Sequence, residues 1–328
     1  MQIIPPKDRF STNVASLNVG VEVPRDAISH LGWRSDRVEF RRLSGGFMNA
    51  NYLATLDRER IVVRVYSTDA ATAARECDLL AFLASLPIPV PRVVARLDVR
   101  GRPVAILEFI DGVTLEDRLL ADAAPSRDLY GEIGAAIASI HRVTFPDAGF
   151  IGPRLAIGRE YDDFSAFILA FIERTLSMLL TRPDKLSVEV NHRVQRLVRD
   201  AWPLVSATEP RRQLVHCDFN PKNLLVSAGP ADARLLSIID WEFCLSGNGL
   251  GDVGNFFRFE ADYPEGARER FVAGYRSIVP DLPANWRDVA RLLDLGNMCS
   301  FLERPEDYQA TFRTARSVVE STLEHFGY

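Results

Sequence analysis

One eight-residue segment, His216-Cys217-Asp218-Phe219-Asn220-Pro221-Lys222-Asn223, constrains this chain more than any other. It lies between two short apolar runs, Leu214-Val215 and Leu224-Leu225-Val226. A turn signal at Gly229-Pro230 follows. A further apolar run, Leu235 to Ile239, then ends at Asp240. A hairpin built from the runs 224–226 and 235–239 returns Asp240 to the loop that carries Asp218 and Asn223. Such a hairpin is expected to leave three oxygen-bearing side chains at one end of it.

Those residue types in that order suit phosphoryl transfer. Moving a γ-phosphoryl group needs an oriented hydroxyl, oxygen ligands for magnesium and charge neutralisation, with little covalent help from the protein. Asp218 is the candidate base that accepts the proton of an attacking hydroxyl. Asn223 and Asp240 are the candidate magnesium ligands, because that ion prefers hard oxygens and lets substrate phosphates complete its shell.

The stretch His216-x-Asp218-x-x-x-x-Asn223, followed by Asp240-Trp241-Glu242, resembles the aminoglycoside phosphotransferase and choline kinase group. The likeness runs from about Arg42 to Phe257. It implies an α+β, bilobal, protein-kinase-like fold. The expected division is a β-rich nucleotide-binding lobe over residues 1–110 and a mostly helical catalytic and acceptor-binding lobe over 111–328. It implies ATP, or GTP, with magnesium as cofactors, and a small-molecule hydroxyl as acceptor.

Each further motif has its own reading beside that resemblance. Leu43-Ser44-Gly45-Gly46-Phe47-Met48-Asn49 joins two strand candidates, and paired glycines let backbone N–H groups approach a phosphate. A Gly-Gly hairpin turn is the bland alternative; the resemblance makes Gly45 and Gly46 an abbreviated phosphate loop. Arg64 lies inside the apolar run Ile61-Val62-Val63-Arg64-Val65-Tyr66. It either faces water from an edge strand or takes the place of the kinase lysine on the nucleotide phosphates. Glu76, twelve residues on, is by resemblance its partner and otherwise a solvated helix carboxylate. Ala105 to Gly112 resembles the hinge between lobes, which implies adenine contacts from the carbonyl of Glu108 and the N–H of Ile110.

Several neighbours read as structural. His216 is expected to brace its loop, Cys217 to pack under it, and Asp252 to support it from Gly249-Leu250-Gly251-Asp252-Val253. Asn220 stands where protein kinases carry a catalytic-loop lysine, which favours a small-molecule kinase over a protein kinase. A non-catalytic nucleotide-binding module is the remaining alternative, and the intact Asp218, Asn223 and Asp240 argue against it.

Composition narrows the rest. At 328 residues the chain exceeds the usual single core, so two lobes are expected. A net charge of −5 without a basic face argues against general nucleic-acid binding. The longest apolar helix candidate, Phe164 to Leu180, contains Glu173 and Arg174, so no membrane partner is expected. The four cysteines are widely separated and form no metal-binding pair, which fits a reduced, cytoplasmic setting. Strand-like runs dominate before residue 110, broken by one helix over Ala70 to Leu86. Helical periodicity dominates afterwards, over 164–180, 190–201, 267–275, 287–301 and 307–326. Residues 260–328 carry twelve acids against eight arginines and no lysine, a net −4. That excess suggests a cationic acceptor, with Glu260 and Asp262 as the first carboxylates to test.

Overall fold

The computed structural model describes residues 19–43, 49–121, 127–161, 163–229, 233–305 and 308–328. Gly45 and Gly46, the expected phosphate loop, lie outside the described residues. The fold is α+β. It begins with helix α1 (Glu22–Ser29), then strands β1 (Glu39–Arg42), β2 (Ala50–Leu56) and β3 (Glu59–Val65). Helix α2 (Ala70–Leu83) and strands β4 (Val93–Val99) and β5 (Arg102–Glu108) follow. The five strands form one antiparallel sheet in the order β1-β2-β3-β5-β4.

The central strands β3 and β5 are buried on both faces, and the period of two along a strand decides which side chain meets which partner. Val63, Val65, Val104 and Ile106 pack with Val23, Ala27 and Ile28 of α1. Ala105 and Leu107 alternate with them and join the other core, which includes Ala73, Cys77, Leu80 and Leu83 of α2. Arg64, between Val63 and Val65, therefore points to the α2 face. Asp69 caps α2 by accepting the Thr72 N–H at 2.9 Å. The helix stops at Leu83, three residues short of expectation, because residues 84–87 turn ahead of the proline-rich connector.

The later part of the chain is mostly helical. It carries β6 (Val113–Thr114), α3 (Leu115–Leu120), α4 (Arg127–His141), β7 (Ala148–Ile151) and β8 (Ile157–Tyr161). Next come α5 (Phe164–Leu179), α6 (Val188–Ala201), α7 (Pro203–Ser206) and β9 (Gln213–Val215). Strands β10 (Leu224–Val226), β11 (Leu235–Ile238) and β12 (Leu245–Gly247) precede α8 (Leu250–Phe257), α9 (Ala267–Ile278), α10 (Trp286–Glu303) and α11 (Gln309–Phe326). The expected hairpin is present as β10 and β11, paired Leu224 to Ile238 and extended by β6. Strand β9 pairs with β12 in a second small sheet.

Small residues bring the helices close. A Cβ on Gly274 of α9 would lie 2.0 Å from the Gly131 carbonyl of α4. One on Gly254 of α8 would lie 2.1 Å from the Ala290 carbonyl of α10. Helix α8 has no strong sequence signature, since Gly251 and Gly254 are poor helix formers; here glycine serves the close approach to α10. No described helix is long and apolar enough to cross a membrane.

Candidate active site

The segment after β9 is held from below by Asp252. That fully buried carboxylate, in the first turn of α8, accepts the backbone N–H of His216 at 2.7 Å and of Cys217 at 2.8 Å. Cys217 adopts a left-handed backbone, φ 68°, so the chain reverses sharply just before Asp218. The His216 ring spans the loop. Its Nε2–H donates to the Ile239 carbonyl at 3.0 Å, and its Nδ1 accepts the Asp218 N–H at 3.2 Å. His216 is thus a brace between the two strands of residues that carry the site. Burial pushes the Cys217 thiol well above its ordinary pKa, which suits an unreactive packing residue.

Asp218 is half-buried and oriented through both of its oxygens. Asn220 Nδ2 donates to Oδ1 at 2.7 Å, and Asn223 Nδ2 donates to Oδ2 at 2.9 Å. Asn223 Nδ2 also reaches the Asp218 carbonyl at 2.8 Å. Burial raises the Asp218 pKa above the usual carboxylate value, and the charge of Asp240 adds to the rise. His216, Arg258 and the Asn223 hydrogen bond oppose it. Sequence reasoning treated Asn220 only as a missing lysine; its amide is one of the two clamps on the candidate base.

Asn223 and Asp240 sit at the end of one hairpin. The Ile239 N–H donates to the Asn223 carbonyl at 2.9 Å, so Asp240 follows directly on Asn223's strand neighbour. Because Asn223 uses its Nδ2 on Asp218, its Oδ1 remains without a partner among the described residues. Asp240, at φ 69°, receives Arg64 Nη2 on Oδ1 at 2.5 Å, and its Oδ2 is likewise free. Two hard oxygens at one strand end fit magnesium, which takes few protein ligands beside phosphates. No group of three or more His, Cys, Asp or Glu is gathered for a metal among the described residues.

Arg64 links the first sheet to this hairpin. It is buried, with Nε 3.4 Å from Glu76 Oε2 and Nη2 3.8 Å from Glu242 Oε2, besides the Asp240 contact. Burial alone disfavours its cation, but Glu76 and Asp240 outweigh that and hold its pKa well above the ordinary guanidinium value. Glu76 is itself fixed by the Tyr66 hydroxyl at 2.7 Å. Glu242 accepts Asn49 Nδ2 at 2.7 Å. Its pKa is pushed up to about 7, by burial first and by the charge of Asp240 second. Arg75, beside Glu76 in sequence, donates to the Glu242 carbonyl.

The remaining expected contacts are placed without being brought into this cluster. Glu108 ends β5 and its side chain pairs with Arg92 at 3.0 Å. The Ile110 N–H meets no backbone acceptor among the described residues, while its carbonyl accepts from Gly112 at 3.0 Å. Lys222 lies 3.8 Å from Glu116. Glu260, expected to face a cationic acceptor, is occupied by Arg268 and Arg287, each at 2.7 Å. A buried pair that sequence reasoning missed lies beyond the base: Arg258 donates to Asp294 at 2.8 and 2.5 Å. The signal was available, since Arg258 interrupts Phe256-Phe257-Arg258-Phe259 as Arg64 interrupts its own apolar run.

A clamped carboxylate, a strand-end pair of hard oxygens and a buried arginine joining sheet to hairpin define a phosphotransferase-like site on a kinase-like fold. The chain belongs to the phosphotransferase enzyme family, whose family model matches residues 39–292. Among solved structures, aminoglycoside phosphotransferase APH(4)-Ia is 19% identical, with a TM-score of 0.67, covering 92% of this chain and 97% of that one. The GDP complex of an aminoglycoside 2'-phosphotransferase-IIIa mutant is 20% identical, with a TM-score of 0.63, covering 88% and 90%. At such identity these likenesses describe the fold. A curated Arabidopsis thaliana protein named acyl-CoA dehydrogenase IBR3 is 30% identical over 175 residues, which are 51% of this chain and 20% of that protein. The chain thus spans about a fifth of the length of that curated relative.

Proposed function

We propose that this phosphotransferase moves the γ-phosphoryl group of ATP or GTP, with magnesium, to a hydroxyl of a small molecule, with Asp218 as the base. The observation that carries the reading is the double clamp on Asp218. Two amide N–H groups hold its oxygens in one orientation, and among the described residues no cation pairs with them directly. Such a carboxylate is positioned to accept a hydroxyl proton rather than to hold a salt bridge. Its raised pKa makes it a better proton acceptor once ionised.

The other residues follow from their places. Asn223 Oδ1 and Asp240 would hold magnesium, which when bound neutralises charge on the nucleotide phosphates. Arg64, directed by Glu76, carries a cation to the sheet face beside them, and Gly45 and Gly46 supply backbone donors to phosphate. The Glu108 carbonyl and the free Ile110 N–H suit the adenine edge. In this reading residues 1–110 bind the nucleotide and residues 111–328 bind the acceptor and perform the chemistry. Structures of similar fold bound to AMP-PNP and hygromycin B, or to GDP, support nucleotide use and a small-molecule acceptor. The acidic excess that favoured a cationic acceptor is weakened as an argument, because Glu260 and Asp294 are already paired with arginines.

The test is an unbiased panel of small alcohols with ATP and GTP, with and without magnesium, read as phosphorylated product by mass spectrometry. Magnesium-dependent product on at least one alcohol is expected. Nucleotide binding with no product on any acceptor would support the non-catalytic module instead.

A further inference from the structure

Beyond the base, α8, the turn after it and α10 enclose a recess lined by Arg258, Glu260, Trp286, Arg287, Arg291 and Asp294, among others. It holds about 20 Å³, room for one water or the leading oxygen of a ligand. Arg258 ties it to the reaction centre, since its charge bears on Asp218.

The charges in this recess do not cancel. Three arginines face two carboxylates, a net of +1. Asp294 receives Arg258 on both oxygens and Asn297 on one of them. Glu260 receives Arg287 on one oxygen and Arg268 on the other. Each carboxylate is thereby committed, and Arg291 is left over. It is half-buried on α10, and among the described residues no hydrogen bond or ion pair reaches it, although the charges of Glu260, Asp294 and Asp288 bear on it from a distance. Burial, then the neighbouring Arg287 cation, lowers its pKa from the ordinary guanidinium value, and those opposing charges do not restore it. A partly desolvated guanidinium beside a second arginine is costly without an anion. Its planar fork matches a carboxylate or phosphate oxygen pair.

We propose that Arg291, with Arg287 at its side, binds an anionic group of the acceptor, a carboxylate or a phosphate, so that the acceptor is an alcohol carrying a negative charge away from its reacting hydroxyl. This deepens the proposed function and rests on it. It reverses the charge that the net acidity of residues 260–328 suggested. Net charge counts every acid equally, whereas the recess presents Arg291, a cation with no hydrogen bond or ion pair among the described residues.

Two measurements test it. The first is direct binding of inorganic phosphate, and of ω-hydroxycarboxylates of two to six carbons, by isothermal titration calorimetry without nucleotide. Wild-type protein should bind at least one anion about tenfold more tightly than Arg291→Gln, and Arg291→Lys should recover part of the loss. The second is phosphorylation of those hydroxycarboxylates, of their methyl esters and of the matching diol monophosphates. Arg291→Gln should raise KM about tenfold for the anionic member of a pair and less than twofold for the ester. The carboxylate and phosphate arms decide which oxyanion the recess prefers. Equal anion binding by wild type and Arg291→Gln overturns the inference, as does an equal loss on acid and ester. Failure of every alcohol to accept phosphate would count against the proposed function, while the binding measurement would still decide this one.

Discussion

Replacing Asp252 by Asn should loosen the Asp218 loop from beneath. The wild-type carboxylate accepts two buried backbone N–H groups, from His216 at 2.7 Å and Cys217 at 2.8 Å. His141 Nε2 lies a further 3.5 Å from Oδ2. An asparagine keeps one acceptor and turns an NH2 toward the other donor. One buried N–H is then unpaired, at about 1–3 kcal/mol, and the charge assistance of the other bond is lost, about 1 kcal/mol more. The sum is about 2–4 kcal/mol. At roughly 2–4 °C per kcal/mol, Tm should fall by about 4–16 °C. Scanning calorimetry of both proteins at one pH measures this. The loop also carries Asp218, so kcat should fall with it. A Tm within 1 °C of wild type would refute the idea that Asp252 supports the site.

Three further outcomes are expected. Glu242 has a folded-state pKa near 7, above its ordinary 4.5, so its contribution to stability is full below about 4.5 and is lost as pH rises through 7. Glu242→Gln should therefore flatten the decline of Tm between pH 5 and 8; an unchanged slope would show that another group causes it. Arg64→Lys cannot reproduce contacts made by separate guanidinium nitrogens to Glu76 and Asp240, so nucleotide affinity should drop at least tenfold by titration calorimetry. Affinity within twofold would count against the role of Arg64. Gly274→Ala places a Cβ 2.0 Å from the Gly131 carbonyl, and forcing α4 and α9 apart should cost about 1–3 kcal/mol, read as a lower Tm. No change would mean that the helices part freely.

What the sequence disclosed, and what it withheld, follows from the range of the interactions. The five strands and α2 were legible because apolar periodicity there is strong and local. The Asp218-Asn223-Asp240 hairpin was legible because turn chemistry and two short apolar runs fix it within about 25 residues of chain. Arg64 and Glu76 were legible as a pair only through resemblance, since their contact crosses from a strand to a helix. The bond from Arg64 to Asp240 spans 176 positions and had no local sign. The same holds for Asn49 on Glu242 and Arg258 on Asp294. Helix α8 escaped notice because its glycines serve packing rather than propensity. Counting charges over residues 260–328 gave the right sum but no pairing, and pairing decides which charge a ligand meets.

The central claim is that Asp218 takes the hydroxyl proton during phosphoryl transfer. The most direct test compares wild type and Asp218→Asn, using γ-labelled nucleotide and the best acceptor from the alcohol panel in single-turnover transfer, with nucleotide affinity measured alongside. The account predicts affinity within threefold and transfer slower by about 10² or more. Transfer within threefold of wild type, at unchanged affinity, would contradict it.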